Sequence, residues 1–97
     1  MTTSTTTRTQ TVHVRYFAGA AEAAGTAEED LTLPAGATAT DLLTAVRAAR
    51  GPAVDRVLEI SSLLVDDVVR EDLTTPLRAE RTPAPVRVDV LPPFAGG

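Results

Sequence analysis

Residues 38–52, TATDLLTAVRAARGP, contain the signals that begin, continue and end an amphipathic helix. Thr38 and Asp41 match a capping box, in which a hydroxyl and a carboxylate accept hydrogen bonds from free main-chain amides at the helix start. Four apolar residues recur at helical spacing along one face: Leu42, Leu43, Val46 and Ala49. The Gly-Pro pair at 51–52 then ends the helix. The sequence therefore predicts one main helix with a single apolar face.

Two strands are predicted before this helix. Residues 11–18, TVHVRYFA, alternate, with two valines and the tyrosine on one face and Phe17 on the other. Residues 27–34, AEEDLTLP, form a second run that ends at a proline. The small-residue segment at 19–25 is predicted to be a connection, so the two strands are close enough in sequence to pair as a hairpin.

Shorter elements are predicted after the helix. Residues 53–60 suit a short second helix or a 3₁₀ turn, and residues 62–72 suit two short strands around an Asp-Asp turn at 66–67. The polar stretch 78–85 carries two prolines and is predicted to be an exposed loop. Residues 86–91, VRVDVL, form a last strand with its valines on one face.

This order of elements predicts an α+β protein with a β-grasp fold. The absence of a long second helix argues against alternating βαβ units, whereas one helix across one face of a mixed sheet of four to five strands buries every apolar face. The first and last strands are the most apolar and are expected at the centre of the sheet. We expect residues 1–10 to be a disordered leader, 11–91 the folded domain and 92–97 a flexible tail.

Composition excludes several classes of function. The chain has 97 residues, enough for one domain, and a net charge of −4, which argues against nucleic acid or an anionic membrane as partner. It contains no Cys, and all nine basic residues are Arg. No apolar run approaches the length of a transmembrane span, and the N-terminus lacks a secretory signal, so we expect a cytoplasmic protein.

The sequence contains no obvious set of catalytic residues. Its one histidine, His13, has no Cys or second His with which to share a metal ion, and a lone strand histidine is usually a surface residue. Gly19, Gly25 and Gly36 are isolated, so the sequence contains no phosphate-binding glycine loop. We therefore predict no metal site, no bound cofactor and no independent enzymatic activity.

The tail, residues 92–97 with the sequence PPFAGG, is the predicted reactive site. Glycine lacks a Cβ, so Gly96 and Gly97 suit a narrow channel in a partner protein. Adenylation of the terminal carboxylate would make its oxygen a good leaving group, and a sulfur nucleophile would then give a thiocarboxylate. The alternative is a frayed chain end without a role.

Three stretches resemble the MoaD/ThiS family of ubiquitin-like sulfur carriers: residues 14–25 (VRYFAGAAEAAG), 33–46 (LPAGATATDLLTAV) and 88–97 (VDVLPPFAGG). The last stretch is most similar to the small subunit of molybdopterin synthase. The resemblance departs from the family pattern at Ala21, where an Arg is common, and in the Asp-Asp turn and the long loop 78–85.

The resemblance implies a β-grasp fold and a specific reaction. An E1-like adenylating enzyme would use ATP to form an acyl-adenylate at Gly97, which sulfuration would convert to a thiocarboxylate. A sulfur-accepting enzyme, such as the large subunit of molybdopterin synthase, would then receive the sulfur. Gly96 and Gly97 match the reactive pair, and the predicted partner contacts are Pro92, Pro93, Phe94, Ala95 and Phe17.

Two other functions remain open at this point. The chain could donate sulfur for cysteine or for a sulfur-containing secondary metabolite, which needs the same tail but another acceptor. It could also be a ubiquitin-like interaction module whose terminal glycines are incidental.

Overall fold

The computed structural model describes residues 8–78 and 84–93, and in these ranges it contains five strands and three α-helices. In chain order the elements are β1 (Thr9–Tyr16), α1 (Gly19–Ala24), β2 (Glu28–Pro34), α2 (Ala39–Arg50), a 3₁₀ turn (Pro52–Val54), α3 (Asp55–Ile60), β3 (Ser62–Val65), β4 (Val68–Val69) and β5 (Val86–Leu91).

The five strands form one mixed sheet in the order β2-β1-β5-β3-β4. β1 and β5 pair in parallel, and the other neighbours are antiparallel. The first and last strands therefore lie inside the sheet, as predicted. One face of the sheet shares a single buried cluster with α2, which confirms the predicted β-grasp fold.

Aliphatic side chains fill this core. The alternating valines of β1 and β5 are fully buried, and so are Leu42 and Val46 of α2. Tyr16, at the end of β1, is the buried aromatic residue of this cluster. The period-two pattern of the strands and the helical period of α2 thus place their apolar faces against each other, which is what drives the two layers together.

Both ends of α2 match the prediction, and one residue of its predicted apolar face differs. Asp41 N donates to Thr38 Oγ1 at 3.1 Å, and Thr38 N donates to an Asp41 carboxylate oxygen at 3.0 Å. Ala49, expected on the buried stripe, is exposed. The chain turns at Gly51, and the buried Val54 of the 3₁₀ turn closes that end of the core instead.

Two further predictions of local structure were wrong. Residues 19–25 were expected to be a connection, but Gly19–Ala24 form α1, because four alanines favour a helix and two of them, Ala20 and Ala24, are buried. β1 begins at Thr9 rather than at residue 11, since Thr9 and Gln10 pair with the end of β2 through the main chain. Such pairing is not visible in a side-chain pattern.

The predicted turn between β3 and β4 is confirmed. Asp66 and Asp67 both have positive φ, 49° and 71°, as a type I′ turn requires. Asp66 also accepts a hydrogen bond from Arg87 N at 3.0 Å, which fixes the turn against β5. Of the loop predicted over 78–85, residues 79–83 lie outside the described part of the chain.

One cluster of polar side chains connects the sheet to the helices. Glu29 of β2 accepts two hydrogen bonds from Arg50 of α2, at 2.6 and 3.0 Å, and a third from the Tyr16 hydroxyl. Arg50 also donates to the Ala24 carbonyl of α1 at 3.4 Å. The Arg50 guanidinium lowers the pKa of Glu29, and burial raises the pKa of Tyr16.

We expect Glu29→Ala to lower the free energy of unfolding by about 2 kcal/mol, because it leaves the Tyr16 hydroxyl and Arg50 without their shared acceptor. Urea denaturation measures this change. Glu71→Ala, at an exposed glutamate outside the helices and strands, is the control and should cost about 0.5 kcal/mol or less. Equal effects of the two substitutions would contradict the role of the cluster.

The exposed face of β1 carries a second charged contact. His13 lies 2.6 Å from Asp30 through Nδ1 and 2.7 Å from Glu28 through Nε2. The hydrogen bond to Asp30 is the largest cause that raises the pKa of His13 above 6.5. A raised folded-state pKa means that the contribution to stability is complete below the unfolded value and disappears as pH rises through the folded value.

His13→Gln should therefore lower the melting temperature at about pH 5 and leave it nearly unchanged at about pH 9. A thermal unfolding series of both proteins across this range checks the expectation. A difference between the two proteins that stays constant with pH would contradict it.

Candidate functional site

The end of β5 lies beside the end of β1. Tyr16 is the register partner of Val90, and the next residue, Phe17, donates its main-chain amide to the Val90 carbonyl at 3.2 Å. Leu91 ends β5, and Pro92 and Pro93 follow it out of the sheet. The chain therefore leaves the folded body next to Phe17.

An apolar groove of about 930 Å³ opens at this point. We call it the exit groove; its lining includes Phe17, Ile60, Leu64, Val69, Leu91, Pro92 and Pro93. The turn after β1 forms one wall, α3 another, and the open face of β3, β4 and β5 the floor. Among the described residues that line it, Ser62 is the one with a polar side chain.

Several side chains of the exit groove are unusually exposed for their type. Ile60 is 59% exposed, Val69 57% and Phe17 37%. Val68, on the same short edge strand, is 67% exposed. Contiguous apolar surface of this kind is costly in water and is typical of sites where another molecule binds.

The turn that carries Phe17 is strained. Ala20 N donates to the Phe17 carbonyl at 2.9 Å, and Ala18 between them has φ 50° and ψ −127°. This is the first central position of a type II′ turn, which glycine normally occupies because a Cβ is unfavourable there. Strain of this kind persists where the surrounding structure enforces it, and here it lies at the edge of the exit groove.

Charged side chains border the exit groove along the open face of the sheet. Arg15 of β1 pairs with Asp89 of β5 through two hydrogen bonds, at 2.9 and 3.0 Å. One row further from the groove, Arg87 pairs with Asp67 at 3.2 Å. The open face therefore changes from paired charges to apolar surface toward the end of β5.

The structure brings together three of the residues predicted to contact a partner. Phe17, Pro92 and Pro93 all line the exit groove. The other predicted site residues, Phe94, Ala95, Gly96 and Gly97, lie outside the described part of the chain, and their roles stay predictions.

Sequence reasoning missed the side chains of α3, β3 and β4 that complete the exit groove. Ile60, Leu64 and Val69 belong to different elements, and only the pairing of β3 with both β4 and β5 places them beside Leu91. A signal was present in the sequence: Leu64 and Leu91 are apolar residues on the strand faces that point away from the core.

Within residues 8–78 and 84–93, no group of three or more His, Cys, Asp or Glu side chains could hold a metal ion. Among the helices described, none is long and apolar enough to cross a membrane.

Comparison with solved structures places the fold among small ubiquitin-like proteins. SAMP1 from Haloferax volcanii superposes with a TM-score of 0.73 at 25% identity, covering 90% of this chain and 99% of that one. The small archaeal modifier protein 1 (SAMP1) from Methanosarcina acetivorans gives a TM-score of 0.71 at 24% identity, covering 93% and 99%.

A third similar structure comes from the complex of subunits 1 and 2 of molybdopterin-converting factor from Helicobacter pylori, with a TM-score of 0.59 at 22% identity and coverage of 91% and 100%. No family model matches the sequence, and no curated protein matches it significantly. The chain is thus similar over nearly its whole length to these three structures, and it has their fold.

We expect Ala18→Gly to raise the free energy of unfolding by about 1 kcal/mol, because glycine adopts the positive φ of this turn without a Cβ penalty. Ala21→Gly, inside α1, is the matched control and should lower it by about 1 kcal/mol. Chemical denaturation of both variants checks the opposite signs. A destabilised Ala18→Gly protein would contradict the strain at the turn.

Proposed function

We propose that this chain is a sulfur-carrier protein whose terminal Gly97 carboxylate is adenylated and then converted to a thiocarboxylate. We further propose that it serves as the small subunit of molybdopterin synthase. The observation that carries the proposal is the position of the exit groove: an exposed apolar surface lies where the chain departs toward PPFAGG.

The distance from the exit groove to the terminus supports this assignment. Four residues follow Pro93, and four extended residues span at most about 14 Å. An active site that acts on the Gly97 carboxylate therefore has to come close to the groove. A partner that covers the groove gains binding energy from apolar burial, and the same contact delivers the tail to its active site.

The proposed chemistry is divided between partner and carrier. In the first step a Gly97 carboxylate oxygen attacks the α-phosphorus of ATP, and pyrophosphate leaves. In the second step a hydrosulfide ion held by the activating enzyme attacks the acyl carbon, AMP leaves, and loss of the S–H proton gives the thiocarboxylate. The activating enzyme supplies the ATP site, and this chain supplies the narrow glycine tail.

The composition of the chain suits an activated terminus. It contains neither Lys nor Cys, so no side-chain amine or thiol of its own competes for the acyl-adenylate. The supporting similarity for the acceptor is to a chain of the Helicobacter pylori protein-protein complex of subunits 1 and 2 of molybdopterin-converting factor.

A second candidate function uses the same activated carboxylate. Two similar structures are named as modifier proteins. In that role an amine of another protein would attack the acyl carbon, an amide bond would form, and AMP would leave with loss of a proton from the amine. Sulfur transfer to another acceptor, for cysteine or a secondary metabolite, is a third possibility that shares every step up to the thiocarboxylate.

Intact-mass spectrometry tests the proposed reaction. After incubation with ATP, sulfide and a recombinant E1-type enzyme that activates MoaD/ThiS carriers, we expect the chain to exchange one oxygen for sulfur. A variant that lacks Gly97 should not change in mass. No exchange in the full chain, or exchange that persists in the shortened variant, would contradict the proposal.

The same assay tests the contribution of the exit groove. Ile60→Asp places a charge on this exposed apolar surface and should reduce kcat/KM for activation about tenfold, which corresponds to about 1.4 kcal/mol. Ala48→Asp, on the exposed side of α2, is the control and should leave the rate within about twofold.

A partner test separates the candidate functions. Capture of the chain by the large subunit of molybdopterin synthase supports the sulfur-carrier function, and formation of amide conjugates supports the modifier function.

A further inference from the structure

Arg15 is held rigidly on the open face of the sheet. Its Nε donates to Asp89 Oδ1 at 2.9 Å and its Nη2 donates to Asp89 Oδ2 at 3.0 Å, a two-pronged pair across the parallel register of β1 and β5. Asp89 is only 8% exposed, so its carboxylate depends on this partner. Two parallel hydrogen bonds fix the plane of the guanidinium as well as its position.

The same guanidinium lies over an aromatic ring of the exit groove. The central carbon of the Arg15 guanidinium is 5.4 Å from the centroid of the Phe17 ring, within the range of a cation–π contact. The two residues are neighbours on one face of the chain, two positions apart, where side chains point the same way. Phe17 has no other charged group over its ring in the described part of the chain.

Arg15 therefore connects one wall of the exit groove with its floor, without lining the groove itself. One contact reaches Phe17, on the wall formed by the turn after β1. The other reaches Asp89 of β5, two residues before Leu91 on the floor.

We propose that Arg15 is a positioning residue of the exit groove, which holds the Phe17 ring in place so that an apolar side chain of a partner protein enters a preformed site. This inference rests on the proposed function, because it takes the groove to be the partner's contact surface. Preformed walls reduce the side-chain ordering that binding would otherwise require.

Lysine cannot replace Arg15 in this role. An ammonium group carries the same charge but lacks the planar fork that binds both carboxylate oxygens and stacks on a ring. Arg15→Lys therefore separates positioning from charge. Arg87→Ala is the matched control, because Arg87 lies on the same face and pairs with Asp67 but has no cation–π contact within residues 8–78 and 84–93.

The test uses the full chain and two readouts. The first is the NMR spectrum of protein labelled with ¹³C at phenylalanine, in which nuclear Overhauser contacts from the Phe17 ring to Arg15 and Leu91 report the ring position. The second is titration with Nile red, an uncharged apolar dye whose binding does not depend directly on the charge of Arg15. Melting temperatures are measured alongside, so that all titrations are done on folded protein.

We expect Arg15→Lys and Arg15→Ala to lose the ring contacts to Leu91 and to weaken dye binding about fivefold or more. Phe17→Ala should weaken dye binding to a similar degree, and Arg87→Ala should stay within about twofold of the original protein. Asp89→Asn, which retains the shape of the side chain but weakens the pair, should reproduce the loss of ring contacts if Arg15→Ala fails to fold.

Three results would overturn the inference. Dye binding and ring contacts that survive Arg15→Lys would show that the charge alone matters. Weakened binding in Phe17→Ala with normal binding in both Arg15 variants would show that Phe17 does not need Arg15. If Phe17→Ala also binds normally, neither residue shapes the groove and the inference is wrong, whereas the mass change at Gly97 still decides the proposed function independently.

Discussion

The parallel pairing of β1 with β5 is the constraint on which the rest of this structure depends. Five residue pairs align, from Val12 with Val86 to Tyr16 with Val90. Parallel neighbours place their same ends together, and the connection between them has to cross from one end of the sheet to the other. The segment between β1 and β5 contains the remaining elements, and α2 covers the valine faces of both strands.

This pairing also creates the candidate site. Because β1 and β5 are parallel, both strands finish at the same end of the sheet. The turn after β1 therefore lies beside the point where the chain leaves β5. The main-chain hydrogen bond from Phe17 to Val90 and the side-chain pair of Arg15 with Asp89 reinforce the same alignment. The core and the exit groove are thus two consequences of one strand pairing, on opposite faces of the sheet.

The fold was largely predictable because its signals are local. A capping box, a leucine stripe and alternating valines each specify an element from a few neighbouring residues, and one helix with several strands leaves few ways to bury all apolar faces. The errors were local too. Ala49 is exposed because the chain turns away after α2, and the alanines of α1 were interpreted as a connection because glycines flank them.

The candidate site was predictable only in part, for a different physical reason. Phe17 and the two prolines were found from the strand pattern and the resemblance in the tail. Ile60, Leu64 and Val69 come from three elements that are adjacent only after β3 pairs with β4 and β5. Arg15 and Asp89 are 74 positions apart in the chain, so no local sequence pattern predicts that they pair.

The most direct measurement is an NMR map of amide shifts during titration of the full chain with the E1-type activating enzyme. The account predicts that the largest changes outside the tail fall on the exit groove, at Phe17, Ala18, Ile60, Val69 and Leu91. Changes confined to the exposed side of α2 or to β2, with the exit groove unaffected, would contradict it.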